Sequence, residues 1–150
     1  MSQFEITKFE IVNNCTYKFY KLYVDGKCQF DEFYNEIENN AIHQKNFASI
    51  VNLMDNFSPQ RLLPKTKFNH IEWNKRSDIF EFKKNDLRVY VIKIDPDIFI
   101  VTGGYKKNQT KDIARLKRNI QDFSPDNLTE YDDTTRDIEN TRILDNTDTD

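Results

Sequence analysis

Cysteine and histidine are scarce in this chain, two of each among 150 residues. Cys15 and Cys28 stand alone rather than as a Cys-x-x-Cys pair, which argues against a disulfide framework and for free thiols. With only His43 and His70 to add, the donors lack metal-ligand spacing, and neither a metal nor any other cofactor is expected. His43 falls at a predicted helix start and His70 in a strand-like run, and both read as ordinary polar positions. No window approaches the roughly 18 apolar residues that a membrane span needs. The opening MSQFEITKFE has neither a basic start nor a long apolar run. The expectation is a cytoplasmic protein with no membrane partner. Internal repeats are absent, as are low-complexity stretches ahead of Ser124.

Aromatic residues are what the chain does have: twelve Phe and seven Tyr within a hydrophobic content of 37%. That is enough for one lean globular domain and too little for two. Acidic and basic residues are segregated. Residues 124–150 carry nine acids against Arg136 and Arg142, a net −7, while residues 65–118 are net +7, so the overall −3 averages two unlike regions. We therefore expect a folded domain over residues 1–123 and an acidic, flexible tail over 124–150. The tail reads either as a solubilising extension or as a phosphate mimic lying across the basic face. The basic surface itself invites phosphate-bearing partners.

The chain's periodicities predict an α+β fold. Residues 4–12 and 17–24 read as strands, forming either a hairpin or one long strand preceded by an arm. Phe30, Phe33, Tyr34 and Ile37 mark one helix; Phe47, Ile50, Val51 and Met54 mark a second that stops before Ser58-Pro59. Residues 68–73 alternate as a strand. Three further strand-like runs, 79–83, 87–94 and 98–101, are joined by Asn85-Asp86 and Asp95-Pro96-Asp97, residues that favour tight turns. This is an antiparallel meander on which the two N-terminal helices can pack. Gly103-Gly104 reads as a bend leading to a loop with Tyr105, Lys106 and Lys107, and Thr110 as the cap of a last helix carrying Ile113, Leu116, Ile120 and Phe123.

Arg88 is the odd residue of the meander. Both faces of the strand opening at Leu87 are mostly apolar, which predicts a central strand, yet Arg88 shares a face with Tyr90, Ile92 and Ile94. It is either half of an ion pair with Glu81 or Asp78 across the sheet, or a guanidinium held rigidly to grip a phosphate.

The order of these elements carries a family resemblance. Phe80-Glu81-Phe82-Lys83, then Leu87-Arg88 opening the next strand, then Gly103 to Asp112 (GGYKKNQTKD), together with LYVDGKCQFDEF near the N-terminus, resemble the RelE/ParE superfamily of toxin–antitoxin toxins. The likeness is greatest to the HigB-like, phage-related branch, and it spans roughly residues 17–123. It implies a RelE-like fold, a small cognate antitoxin as protein partner, and cleavage of mRNA in the ribosomal A site. That reaction turns the 2′-hydroxyl onto the adjacent phosphate and needs a base, a proton donor and positive charge rather than a metal.

By position, the resemblance makes Lys83, Arg88 and Lys106 the cations of the site, with Glu81 and Tyr105 as further catalytic candidates. Lys84, Lys107, Lys111, Arg115 and Arg118 are the expected RNA contacts. Arg88 is expected to bind the scissile phosphate, Lys83 and Lys106 to stabilise charge or exchange protons, and Tyr105 to stack on a base or donate a proton. Neither His43 nor His70 falls in the matching positions. Two other functions fit the same resemblance: a ParE-like toxin that binds DNA gyrase without chemistry, and a non-catalytic nucleic-acid or partner-binding module.

Overall fold

The computed structural model describes residues 2–12 and 16–132 of the chain. Its centre is a seven-stranded mixed sheet in the order β3-β4-β5-β6-β2-β1-β7. The strands are β1 (Phe4–Lys8), β2 (Lys18–Val24), β3 (Phe68–His70), β4 (Ile79–Lys84), β5 (Leu87–Ile94), β6 (Asp97–Tyr105) and β7 (Thr129–Glu130). The fold is α+β, as the periodicities predict, but the sheet is not a simple antiparallel meander. β3 to β6 form the meander, and the N-terminal segments form an antiparallel hairpin whose β2 lies parallel against β6, with Phe19 opposite Ile98. Pairing distant in sequence leaves no local signal, so periodicity reveals each strand but not this junction.

Helices α1 (Gln29–Ile37) and α2 (Ala41–Asp55) cover one face of the sheet. Phe30, Phe33 and Ile37 of α1 and Phe47, Ile50 and Met54 of α2 point inward at helical spacing and meet Phe19, Phe82, Val89, Val91, Ile98 and Ile100. Asn40 separates the helices and caps the second, its Oδ1 accepting from the His43 N–H at 3.0 Å. Helix α3 (Gln109–Asn119) covers the other face, where Leu116, Ile120 and Phe123 pack on Leu22, Tyr90, Ile92, Phe99 and Val101. A sheet buried on both sides explains why β5 is apolar on both faces; it lies between β4 and β6 as the central strand the alternation predicts.

Two local expectations are corrected. Gly103 and Gly104 are not a bend but the last rungs of β6, opposite Val89 and Arg88, at ordinary extended dihedrals. They are glycines because something approaches closely: a Cβ at Gly103 would lie 2.6 Å from Cε2 of Phe33, and one at Gly104 would strike the Asp112 carboxylate. Thr110 is not the cap of α3; the helix begins at Gln109, two residues earlier than such a cap would place it, behind Asn108 and with no side-chain cap bond. Beyond Phe123 the chain continues through a 3₁₀ turn at Pro125–Asn127 into β7, which pairs in parallel with β1, and Tyr131 stacks on Tyr23 at 3.9 Å. Residues 133–150, with the proposed phosphate mimicry of the tail, lie outside the described residues, as does Cys15.

Candidate functional site

The polar residues gather where β4, β5 and β6 meet the start of α3. Antiparallel register sets Glu81 opposite Tyr90, Lys83 opposite Arg88, and Arg88 opposite Gly104. Directly opposed residues share a face, so Glu81, Lys83, Arg88 and Tyr90 stand together on the α3 side. The β4–β5 turn that joins the two pairs uses Asn85 in the left-handed region, with φ of 50°, a conformation asparagine tolerates.

Arg88 is 7% exposed and does not form the ion pair across the sheet that was one of its two expected roles. Among the described residues no carboxylate pairs with it: Asp78 is held by Arg76 at 2.8 Å, and Glu81 accepts from Gln109 Nε2 at 2.6 Å while standing 4.0 Å from Lys83 Nζ. Instead Arg88 Nη1 donates to the carbonyls of Asn85 at 2.8 Å and Leu87 at 2.9 Å, clamping the turn from inside. A buried guanidinium must be hydrogen-bonded to be tolerated, and the turn supplies the acceptors. Its Nε is buried without a partner. From the other face Asn46 of α2 accepts from Asn85 Nδ2 at 2.9 Å, so the turn is fixed on both sides.

Beside Arg88, the Tyr90 hydroxyl is fully buried and unpartnered. Burial pushes it well above the usual phenol range; the Glu81 and Asp112 carboxylates push the same way, against the opposing pull of Arg88. Asp112 is also raised, by burial first, with Arg115 and Lys111 drawing it back and Glu36 adding to the rise. The cluster thus holds two carboxylates, two cations and an idle hydroxyl within a few side-chain lengths.

The other candidates do not all converge here. Lys106 and Lys107 form a short 3₁₀ turn after β6 and are exposed, and the Lys106 N–H donates to the Asp86 carbonyl at 2.7 Å. Lys111, Arg115 and Arg118 follow one another at helical spacing and are exposed on α3. Tyr105 and Lys84 lie on the opposite, α1–α2 face. Tyr105 packs on Phe33 at 5.5 Å and on His43 at 5.2 Å, with Lys107 Nζ 5.9 Å from its ring. Burial raises its hydroxyl, and the Glu36 carboxylate nearby adds to the shift.

Glu36, His43, Asp86, Tyr105 and Lys107 line a cavity of about 400 Å³ at this end of the sheet. Sequence reasoning missed His43, whose Nδ1 is buried and unpartnered. It also missed Tyr90, Gln109 and Asp112. Tyr90 was legible as a neighbour of Arg88 on one strand face; the contacts of His43, Gln109 and Asp112 depend on how the helices dock, which no local pattern encodes.

Chemically, Lys83 and Arg88 make an adjacent pair of cations suited to a phosphate, and Glu81, oriented by Gln109, is an acceptor next to them. Compared with models of known protein families and with curated proteins, the chain gives no match to either. None of the described helices is long and apolar enough to cross a membrane.

Proposed function

We propose that this protein is a RelE-like, HigB-type toxin that cuts mRNA on the ribosome and is held in check by a small antitoxin protein. The observation that carries the reading is the side-by-side placement of Lys83 and Arg88 on one face of a rigid sheet, with Glu81 on the neighbouring rung. Lys83 and Arg88 take the non-bridging oxygens of the scissile phosphate and neutralise the charge that builds on them. Glu81 accepts the proton of the 2′-hydroxyl as the 2′-oxygen bonds to phosphorus. The bond from phosphorus to the 5′-oxygen breaks, and Lys106, exposed on the turn after β6, returns a proton to the leaving oxygen. The products are a 2′,3′-cyclic phosphate and a 5′-hydroxyl.

A second reading has its own support. Arg88 is deeply buried and spends Nη1 on backbone carbonyls, as suits a structural clamp in a non-catalytic binding module of the same shape. Induced expression in cells separates them. The toxin reading expects translation arrest with fragmented transcripts, lost in Lys83→Ala, whose side chain is 22% exposed and whose removal spares the clamp. Intact transcripts, or full arrest by a folded Lys83→Ala protein, overturn it; a DNA-damage response with intact translation points to gyrase.

A further inference from the structure

A second cationic feature lies around the corner from the Lys83–Arg88 pair. On the α1–α2 face, Lys45, Lys67 and Lys84 line a groove of about 430 Å³ together with Ser49 and Asn52. No carboxylate among the described residues lines it. Among the described residues, none of the three lysines has a carboxylate within salt-bridge reach, whereas Lys21 pairs with Asp31 at 3.0 Å and Lys93 with Asp95 at 2.6 Å. Three like charges in one groove repel one another, and that repulsion is relieved when an anion is bound.

The groove is linked to the candidate site through the backbone at the edge of the sheet. Lys83 N–H donates to the Lys67 carbonyl at 2.8 Å, so Lys67 occupies the rung beside Lys83, itself opposite Arg88. Neighbouring strands are about 4.8 Å apart, which spaces these backbones as a short ladder running to the edge. The Lys67 side chain then turns into the groove with Lys84, whose strand neighbour Lys83 faces the other way. Arg88, Lys83, Lys67, Lys84 and Lys45 form a belt from one face of the sheet to the other.

We propose that this belt carries the phosphodiester backbone of single-stranded RNA, entering over Lys45 and Lys84 and passing Lys67 to reach Lys83 and Arg88. The proposal rests on the RNA-cutting reading above and adds to it the path of the substrate. A lone inorganic anion does not need three separated ammonium groups in an open groove; a chain of evenly repeated charges does. The link to the phosphate-suited pair favours RNA over an acidic polypeptide.

The test uses the full chain and a labelled single-stranded RNA of about 20 nucleotides, 2′-O-methylated so that it cannot be cut. Affinity is followed by anisotropy from about 50 to 300 mM KCl, a range over which backbone contacts dominate. Each phosphate neutralised on a single strand contributes about 0.7 to the slope of log affinity against log salt, so Lys45→Ala/Lys67→Ala/Lys84→Ala lowers that slope by about 2. The triple arginine variant keeps it. An unchanged slope in the alanine variant overturns the proposal, as does a poly-glutamate peptide that needs the three lysines while RNA does not. Failure of the parent reading looks different. If Lys83→Ala still arrests translation while the slope falls, the groove binds RNA and the chemistry is wrong; if arrest needs Lys83 but the slope is unchanged, the chemistry stands and the groove is something else.

Discussion

Replacing Gly103 by alanine places a methyl group where the Phe33 ring already lies. The added carbon stands 2.6 Å from Cε2 of that ring, far inside the 3.5–4.0 Å at which carbons rest. Phe33 is 5% exposed and is backed by Tyr105 at 5.5 Å, so it has no open space to retreat into. The strand and α1 must separate instead. Overpacking a well-filled core costs about 1–3 kcal/mol, and we expect the upper half of that range here because the obstacle is a rigid ring. For a domain of this size that is a fall in Tm of about 5–10 °C.

Urea and thermal unfolding measure the cost, and a double-mutant cycle assigns its cause. Phe33→Leu removes the obstructing ring, so in its presence Gly103→Ala should cost at least about 1 kcal/mol less than in the parent, within the usual range for contacting pairs. If the two effects simply add, or if Gly103→Ala alone stays within about 0.5 kcal/mol of the parent, the close-approach explanation is wrong. A glycine needed for a bend would show its full cost whatever stood at position 33.

Three further substitutions probe polar groups packed around α3. Tyr90→Phe should be neutral or stabilising in urea unfolding, because the hydroxyl it removes is buried with no partner; a loss above about 1 kcal/mol would reveal a hydrogen bond there. Arg76 donates to the Ile120 and Phe123 carbonyls at 3.3 and 2.7 Å while pairing with Asp78, so Arg76→Ala should cost about 2–3 kcal/mol and speed amide exchange at the end of α3; unaltered exchange there would refute the capping role. Asp112 has a folded-state pKa above its ordinary 3.8, so the fold holds that proton more tightly than the unfolded chain does, and the associated stability is present below 3.8 and lost as pH rises through the folded value. Asp112→Asn should accordingly be more stable than the parent at pH 7 and equal to it near pH 3, and a difference that grows on acidification would contradict the sign.

How much of this was legible in the sequence depends on whether the cause was local. The alternation of β5, the stripes of α1 and α2 and the turn at Asn85 are properties of neighbouring residues, and each is found where the pattern puts it. The pairing of Lys83 with Arg88 was legible too, because a two-residue turn fixes the register of a hairpin. Gly103-Gly104 was visible as an anomaly but misread. A glycine pair signals either freedom of φ or lack of a side chain, and only the position of Phe33, brought over the strand by α1, tells which.

Arg88 shows how an open alternative can resolve into a third outcome. A charged side chain on a buried strand face needs compensation, and carboxylates across the sheet are the obvious source. Here Glu81, on the same face of the neighbouring strand, is already engaged by Gln109, and the carbonyls exposed by the left-handed turn at Asn85 need donors. The guanidinium answers the turn with Nη1 and keeps Nε unpartnered beside Lys83. Clamping therefore occupies only part of the side chain, since a planar five-donor group can hold a turn with one nitrogen and keep further donors. If an RNA phosphate seats on Lys83 and Arg88 as proposed, it should tighten the Asn85-Asp86 turn that Arg88 clamps, and with it Asp86 at the rim of the Tyr105 cavity on the far face; amide exchange at this turn that is unchanged by bound RNA would refute the coupling.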